Sequence, residues 1–272
     1  MQASYGATLM AAALAASALL AGCQTVQTTR GGTVGVDREQ RMFVSASQVD
    51  GAAREQYAAV LKQSTQKGEL NRDPAQTERV RRISQRLIPH TAVFRDDAPG
   101  WKWEVNVITS PQVNAWCMPG GKIAVYTGLI EKLKITDDEL AAVMGHEIGH
   151  ALREHARERM SRAAPVQIGA QILGALYGQG AGDLGNLFGQ AFFVLPNSRE
   201  NGQESDRIGV ELAARAGYDP RAAITLWQKM GGQGGGEQPP QFLSTHPSHD
   251  TRIRDLQDYA QRVLPLYEKA KK

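Results

Sequence analysis

Residues 146–150 read His-Glu-Ile-Gly-His. On a helix, side chains four apart share a face, so His146 and His150 can offer two imidazole nitrogens to one metal ion. Glu147 lies one step round, within reach of a water at that ion. The H-E-x-x-H pattern thus provides two ligands and a base for metal-assisted hydrolysis. Zinc suits this donor set, and one ion per chain is expected.

The surrounding residues are those of a helix. Thr136 and Glu139 fit a capping box, with a hydroxyl at the N-cap and a carboxylate three residues on. Leu140, Val143, Met144 and Ile148 form an apolar stripe at helical spacing. Acids open the segment and Arg153, Arg157 and Arg159 close it, which suits the helix dipole. A helix is predicted over about 137–161. His155 is out of phase with the metal face and reads as a solvent-facing or packing residue.

A hydrolytic zinc site usually has three protein ligands. The metzincin spacing would need Gly at 153 and His at 156, but Arg153 and Ala156 stand there. The remaining route is a carboxylate from a later helix.

The chain has 272 residues, 42% hydrophobic and 22% charged, enough for one domain with a sizeable core. A net charge of +3, with no basic stripe interleaved with aromatics, argues against nucleic-acid binding. Residues 8–22 are mostly Ala, Leu and other small residues, the length of a signal-peptide core. They end in Leu20-Ala21-Gly22-Cys23, which resembles a bacterial lipobox. That resemblance implies cleavage before Cys23, a lipid on its thiol and attachment to a membrane; Gln24 favours the outer membrane. Residues 1–22 carry no Lys or Arg, unlike most such signals. Cys117 then reads as a small buried residue.

Three regions are expected: a signal peptide over 1–22, a tether over 23–49 rich in Thr, Gly, Val, Gln and Ser, and a domain over 50–272. Helices are predicted over 50–66, from Asp73-Pro74, over 203–216, over about 220–230, and from near Asp250. Trp103, Val105 and Val107 alternate with polar neighbours as in a half-buried strand. Residues 113–126 read as strand, Pro119-Gly120-Gly121 turn and strand, and Thr127–Leu133 as a short helix. The apolar but Gly-rich stretch 164–195 reads as two loosely packed helices beside the site; a surface that meets lipid or an unfolded client is the sharper reading. His249 reads as solvent-facing.

Several segments together resemble a known family, the zinc peptidases that include the CaaX prenyl protease, HtpX, BepA and LoiP. They are Asn114-Ala115, Pro119-Gly120-Gly121, Ile123 and Gly128-Leu129; His146-Glu147-x-x-His150; Ser198-Arg199, Glu204-Ser205-Asp206, Gly209 and Ala216–Pro220; and Ser244–Ser248 with Arg252-Ile253. The resemblance covers about residues 50–262. It implies an α+β, mostly helical zincin-like domain with a small sheet beside the metal helix. It also implies a second metal helix with the pattern E-x-x-x-D, where Glu is the third ligand and Asp braces a ligand histidine. Asp206 fits the Asp, but position 202 is Gly where the family has Glu.

Three readings of the third ligand stay open. A local shift lets Glu200 or Asp206 complete the site, with Asp206 the ligand assigned; or His246 approaches the metal; or the site is degenerate. His246 is otherwise expected to assist catalysis at the developing oxyanion, or to compete with water for the metal. Arg199 and Arg252 are read as buried ion-pair partners or surface charge. The expected function is a membrane-anchored zinc endopeptidase acting on misfolded or misassembled envelope proteins, with a peptidase-fold chaperone or binding module as the alternative. The Val113–Cys117 strand is expected to pair with an extended substrate.

Overall fold

The computed structural model describes residues 24–163, 184–232, 241–247 and 251–272. The lipobox with Cys23, residues 164–183 and His249 lie outside them. The fold is mostly helical with two small sheets, the α+β class expected.

A three-stranded sheet contains β3 (Glu104–Ile108), β4 (Ala115–Met118) and β5 (Lys122–Tyr126) in the order β3-β5-β4. β3 runs parallel to β5 and β4 antiparallel. The Pro119-Gly120-Gly121 turn joins β4 to β5, and both glycines take positive φ, 74° and 79°. β4 pairs only with β5, so its other edge has no strand partner among the described residues.

α1 (Ala46–Gln66) starts four residues before the predicted 50, on a Ser45–Gln48 capping box, while α2 (Pro74–Leu87) opens on Asp73 as predicted. α3 is Thr127–Leu133. The metal helix, α4 (Asp137–Leu152), opens on the Thr136–Glu139 capping box. It does not run on to 161. Glu154 takes φ of 50°, the helix breaks there, and a new helix, α5, covers 155–163. α6 (Leu184–Gly189) continues into a π-helical turn, Gln190–Val194. α7 (Arg199–Arg215), α8 (Ala222–Gly232), the short α9 (Gln241–Thr245) and α10 (Arg252–Ala270) complete the chain.

α4 and α7 meet along glycines. A Cβ on Gly145 would stand 2.9 Å from the Gly209 carbonyl oxygen, one on Gly209 would stand 2.7 Å from the His146 nitrogen, and one on Gly149 3.0 Å from the Ser205 Cα. Any side chain at these points would push the two helix backbones apart. Their near-contact brings Asp206 and Glu204 of α7 beside the histidines of α4 and α5.

Residues 24–45 are not a free tether, contrary to expectation. β1 (Gln24–Val26) pairs antiparallel with β2 (Gln40–Met42), and Val34, Val36 and Met42 are buried. The attraction is largely polar. Buried Arg153 takes Thr28 Oγ1, Thr29 Oγ1 and the Arg38 carbonyl; Arg38 pairs with Glu158 and Glu204; Gln40 donates to the Arg153 carbonyl and Glu158. Buried Glu211 accepts from the Thr33 and Val34 nitrogens at 2.8 and 3.0 Å. Charges that leave water need partners, and this segment supplies them.

Candidate metal centre and catalytic site

The helix period and the capping box put His146 and His150 on one face of α4. Their Nε2 atoms lie 3.1 Å apart. His246 follows α9 and joins them: one donor atom from each of His146, His150 and His246 lies within 4.8 Å of the others. All three are buried.

The hydrogen bonds behind the rings set which nitrogen is bare. His146 Nδ1 faces Asp206 Oδ1 at 2.8 Å; a carboxylate only accepts, so Nδ1 carries the proton and Nε2 its lone pair. His246 Nδ1 faces the Phe242 carbonyl at 3.1 Å, with the same result. His150 is held through a relay. Its Nδ1 meets His155 Nδ1 at 2.8 Å, and His155 Nε2 meets Glu204 Oε2 at 2.9 Å. His155 must donate to the carboxylate from Nε2. Its Nδ1 is therefore bare and accepts from His150, which frees His150 Nε2. Burial lowers the His155 pKa to about 4 against the pull of Glu204, so the neutral form needed for this relay is the one present near neutral pH.

Burial also lowers the pKa of His146, and lowers those of His150 and His246 well below the ordinary value, with their mutual repulsion adding to it. Neutral imidazole is the form that binds metal. Glu147 is buried, and burial drives its pKa well above the usual carboxylate range. Its Oε1 has no hydrogen-bond partner, and His246 Nε2 stands 3.4 Å away. An orphaned buried carboxylate beside three bare imidazole nitrogens fits a divalent cation with water near it.

Asp206, expected as the third ligand, stands elsewhere. Its Oδ1 contacts the His146 Nδ1 and, at 2.8 Å, Arg252 Nη2. The carboxylate is on the far side of the ring from the nitrogen cluster, where it orients His146. Burial opposes its ionisation, but Arg252 and His146 outweigh that and hold its pKa below the ordinary value. Arg252 is the buried ion-pair partner foreseen; Arg199 is exposed. Glu200 is half-exposed and faces Arg38, while Glu204 is held by Arg38, Arg153 and His155. Neither expected carboxylate shift occurs, and His246 is the residue brought to His146 and His150. A Cβ at Gly202 would meet nothing within 4 Å.

Of the two readings of His155, packing holds and solvent-facing does not. His155 is fully buried because the break at Glu154 restarts the helix and turns its ring back towards His150. A regular helix through 161 would have pointed it away. Arg159 was also missed as a site residue. It donates from Nε to the Ala191 carbonyl at 2.6 Å and also to Asn197 Oδ1, and Asn197 Nδ2 donates to the Thr245 carbonyl. These bonds fix the loop that carries His246. Its signal, a third arginine at a helix C-terminus, is shared with Arg153 and Arg157.

The site opens into a cleft of about 210 Å³ lined by Glu147, His150 and His246, by residues 114–117 at β4, and by Arg159, Phe192 and Phe193. Cys117 is buried and burial raises its pKa well above the ordinary value, so it is an unreactive wall residue.

Residues 74–260 match peptidase family M48. The chain is similar to the mitochondrial metalloendopeptidase OMA1 of Arabidopsis thaliana, 44% identical over 157 residues, which is 58% of this chain and 31% of that protein. It is also similar to the beta-barrel assembly-enhancing protease of Escherichia coli (strain K12), 30% identical over 207 residues, 72% of this chain and 41% of that protein. Similarity to the beta-barrel assembly-enhancing protease of Yersinia pestis runs at 27% identity over 281 residues, 95% of this chain and 54% of that protein. The chain therefore spans about half or less of the length of these relatives.

Proposed function

Because the chain belongs to peptidase family M48, we propose that it is a zinc-dependent endopeptidase that cuts extended polypeptides in its β4 cleft. The observation that carries this is the convergence of three bare Nε2 atoms, from His146, His150 and His246, beside the orphaned carboxylate of Glu147. These three histidines would hold the ion. When bound, zinc supplies Lewis acidity that polarises a carbonyl and acidifies water.

The chain's own residues do the rest. The edge of β4 that has no strand partner among the described residues aligns an extended backbone by strand addition. Glu147 takes the proton of the attacking water and delivers it to the leaving nitrogen. Burial pushes the Glu147 pKa up, and a nearby cation pulls it back towards the ionised form it needs as a base. His246, fixed by Phe242 and the Arg159–Asn197–Thr245 chain, holds its Nε2 towards Glu147 and the reacting region.

The lipobox-like Leu20–Cys23 supports a lipid anchor in a bacterial envelope, with the outer membrane favoured by Gln24. The names of the Escherichia and Yersinia relatives support misassembled envelope proteins as substrates. The alternative, a binding module that keeps the fold, draws on Gly202; the retained, unpartnered Glu147 counts against it, since a pure binder needs no base.

The test is zinc per chain by elemental analysis after dialysis, with casein cleavage alongside. Wild type should keep about one zinc and cleave; Glu147→Gln should keep the metal and lose cleavage. A chain that retains no zinc would sink the proposal.

A further inference from the structure

Beside the three histidines the cleft has an aromatic wall. Phe192 and Phe193 both meet Trp116 edge-on, with ring centroids 6.3 and 6.2 Å away and interplanar angles of 86° and 87°. Consecutive residues of an α-helix point about 100° apart. Here the π-helical turn Gln190–Val194 sends both phenylalanines to the same tryptophan, and π-turns recur where a helix is shaped for a task. Trp116 belongs to β4, the strand expected to align the substrate, and its Nε1 donates to Tyr126 Oη at 3.3 Å, which fixes the indole. Arg159 pins the turn from behind through the Ala191 carbonyl. Phe192 and Phe193 remain half-buried, and the chain runs on to exposed Val194 and Leu195. Of the other wall residues, Gln112, Asn114, Asn197, Gln241 and Thr245 are uncharged, and the cation among them, Arg159, is engaged by the Ala191 carbonyl and Asn197.

We infer that this wall is a specificity subsite: it takes a large apolar side chain, aromatic or Leu-like, next to the bond being cut. This rests on the endopeptidase reading above. A side chain entering from a strand paired with β4 would displace water from the two half-buried phenylalanine rings backed by buried Trp116, a gain Ala cannot make and an acidic side chain reverses. Such residues are buried in folded proteins and exposed in unfolded ones. The subsite therefore directs cleavage to unfolded segments without reading a sequence motif.

The experiment uses the full chain carrying Glu147→Gln, loaded with zinc, and short fluorescein-labelled peptides of Gly, Ser, Gln and Ala with one central Phe, Leu, Ala or Asp. Anisotropy should show the Phe and Leu peptides binding about tenfold or more tighter than the Ala and Asp peptides. Phe193→Ala and Phe192→Leu, each checked for an unchanged melting temperature, should erase most of that gap. Equal binding of the Phe and Ala peptides, tightest binding of the Asp peptide, or a gap that survives in both variants would overturn the subsite. The two readings fail separately. Wild type that cleaves casein with no large apolar residue favoured beside the cut refutes the subsite alone. A Glu147→Gln chain that prefers Phe while wild type cleaves nothing refutes the peptidase reading and leaves the subsite standing.

Discussion

The second metal-helix histidine is oriented by another histidine, which is in turn oriented by Glu204. His155→Ala removes the acceptor on His150 Nδ1 and should weaken zinc binding by about 10–100-fold; His155→Gln, which keeps an acceptor oxygen, should recover part of it. Competition against a chromophoric chelator measures both, and an unchanged affinity for His155→Ala would refute the relay. Gly202 is the other informative residue. It lies one turn ahead of Asp206 on α7 with open space over its Cα. Gly202→Glu should tighten zinc binding in the same assay, whereas Gly202→Ala should leave it alone and raise stability by about 1 kcal/mol or less, seen as a higher melting temperature. Residue by residue, the site was legible where a local rule applies. His146, Glu147 and His150 follow from a period and a cap. His246 was visible only as one of three open choices, because its approach depends on a loop fixed from α5. The bond from His155 to His150 was not legible, because a single positive φ at Glu154 changes the phase of everything after it.

Among the elements, strands β3 to β5 and the starts of α2 and α4 were readable from alternation and capping, while α1 and α7 begin four residues before the predicted positions. The segment 24–45 was not, since its bonds are to buried charges rather than along an apolar stripe, and hydrophobic periodicity is blind to such partners. Those bonds make its docking sensitive to acid. Burial would raise the Glu158 pKa, but hydrogen bonds from Arg38 and Gln40 bring it down to about 2 from an ordinary 4.5. Between those values the unfolded chain binds the extra proton, so stability rises with pH. This contribution is complete above about pH 4.5 and is lost as pH falls through about 2. Amide hydrogen exchange followed by mass spectrometry should show protection over 28–44 falling in that window before protection of α4 falls. Glu158→Gln should reduce the pH dependence, leaving the part that Glu204 carries through Arg38 and Arg153, and simultaneous loss across the whole chain would refute the separate docking of this segment.

Over the whole molecule, the class came with the family resemblance, and the order of elements from β3 to α4 could be read from alternation, a turn and a cap. What could not be read is where α7 lies against α4. That depends on the near-contact of Gly145, Gly149 and Gly209, residues far apart in sequence whose common feature is the absence of a side chain. The docked segment 24–45 bears on geometry of a different kind. Its hold on Arg153, Glu158, Glu204 and Glu211 begins at Thr28 and Thr29, five residues from Cys23. A lipid on Cys23 would leave the enzyme almost no leash. The cleft would ride at a nearly constant stand-off from the bilayer and patrol a thin sheet of space beside it, so that a client's distance from the membrane would decide whether it is cut.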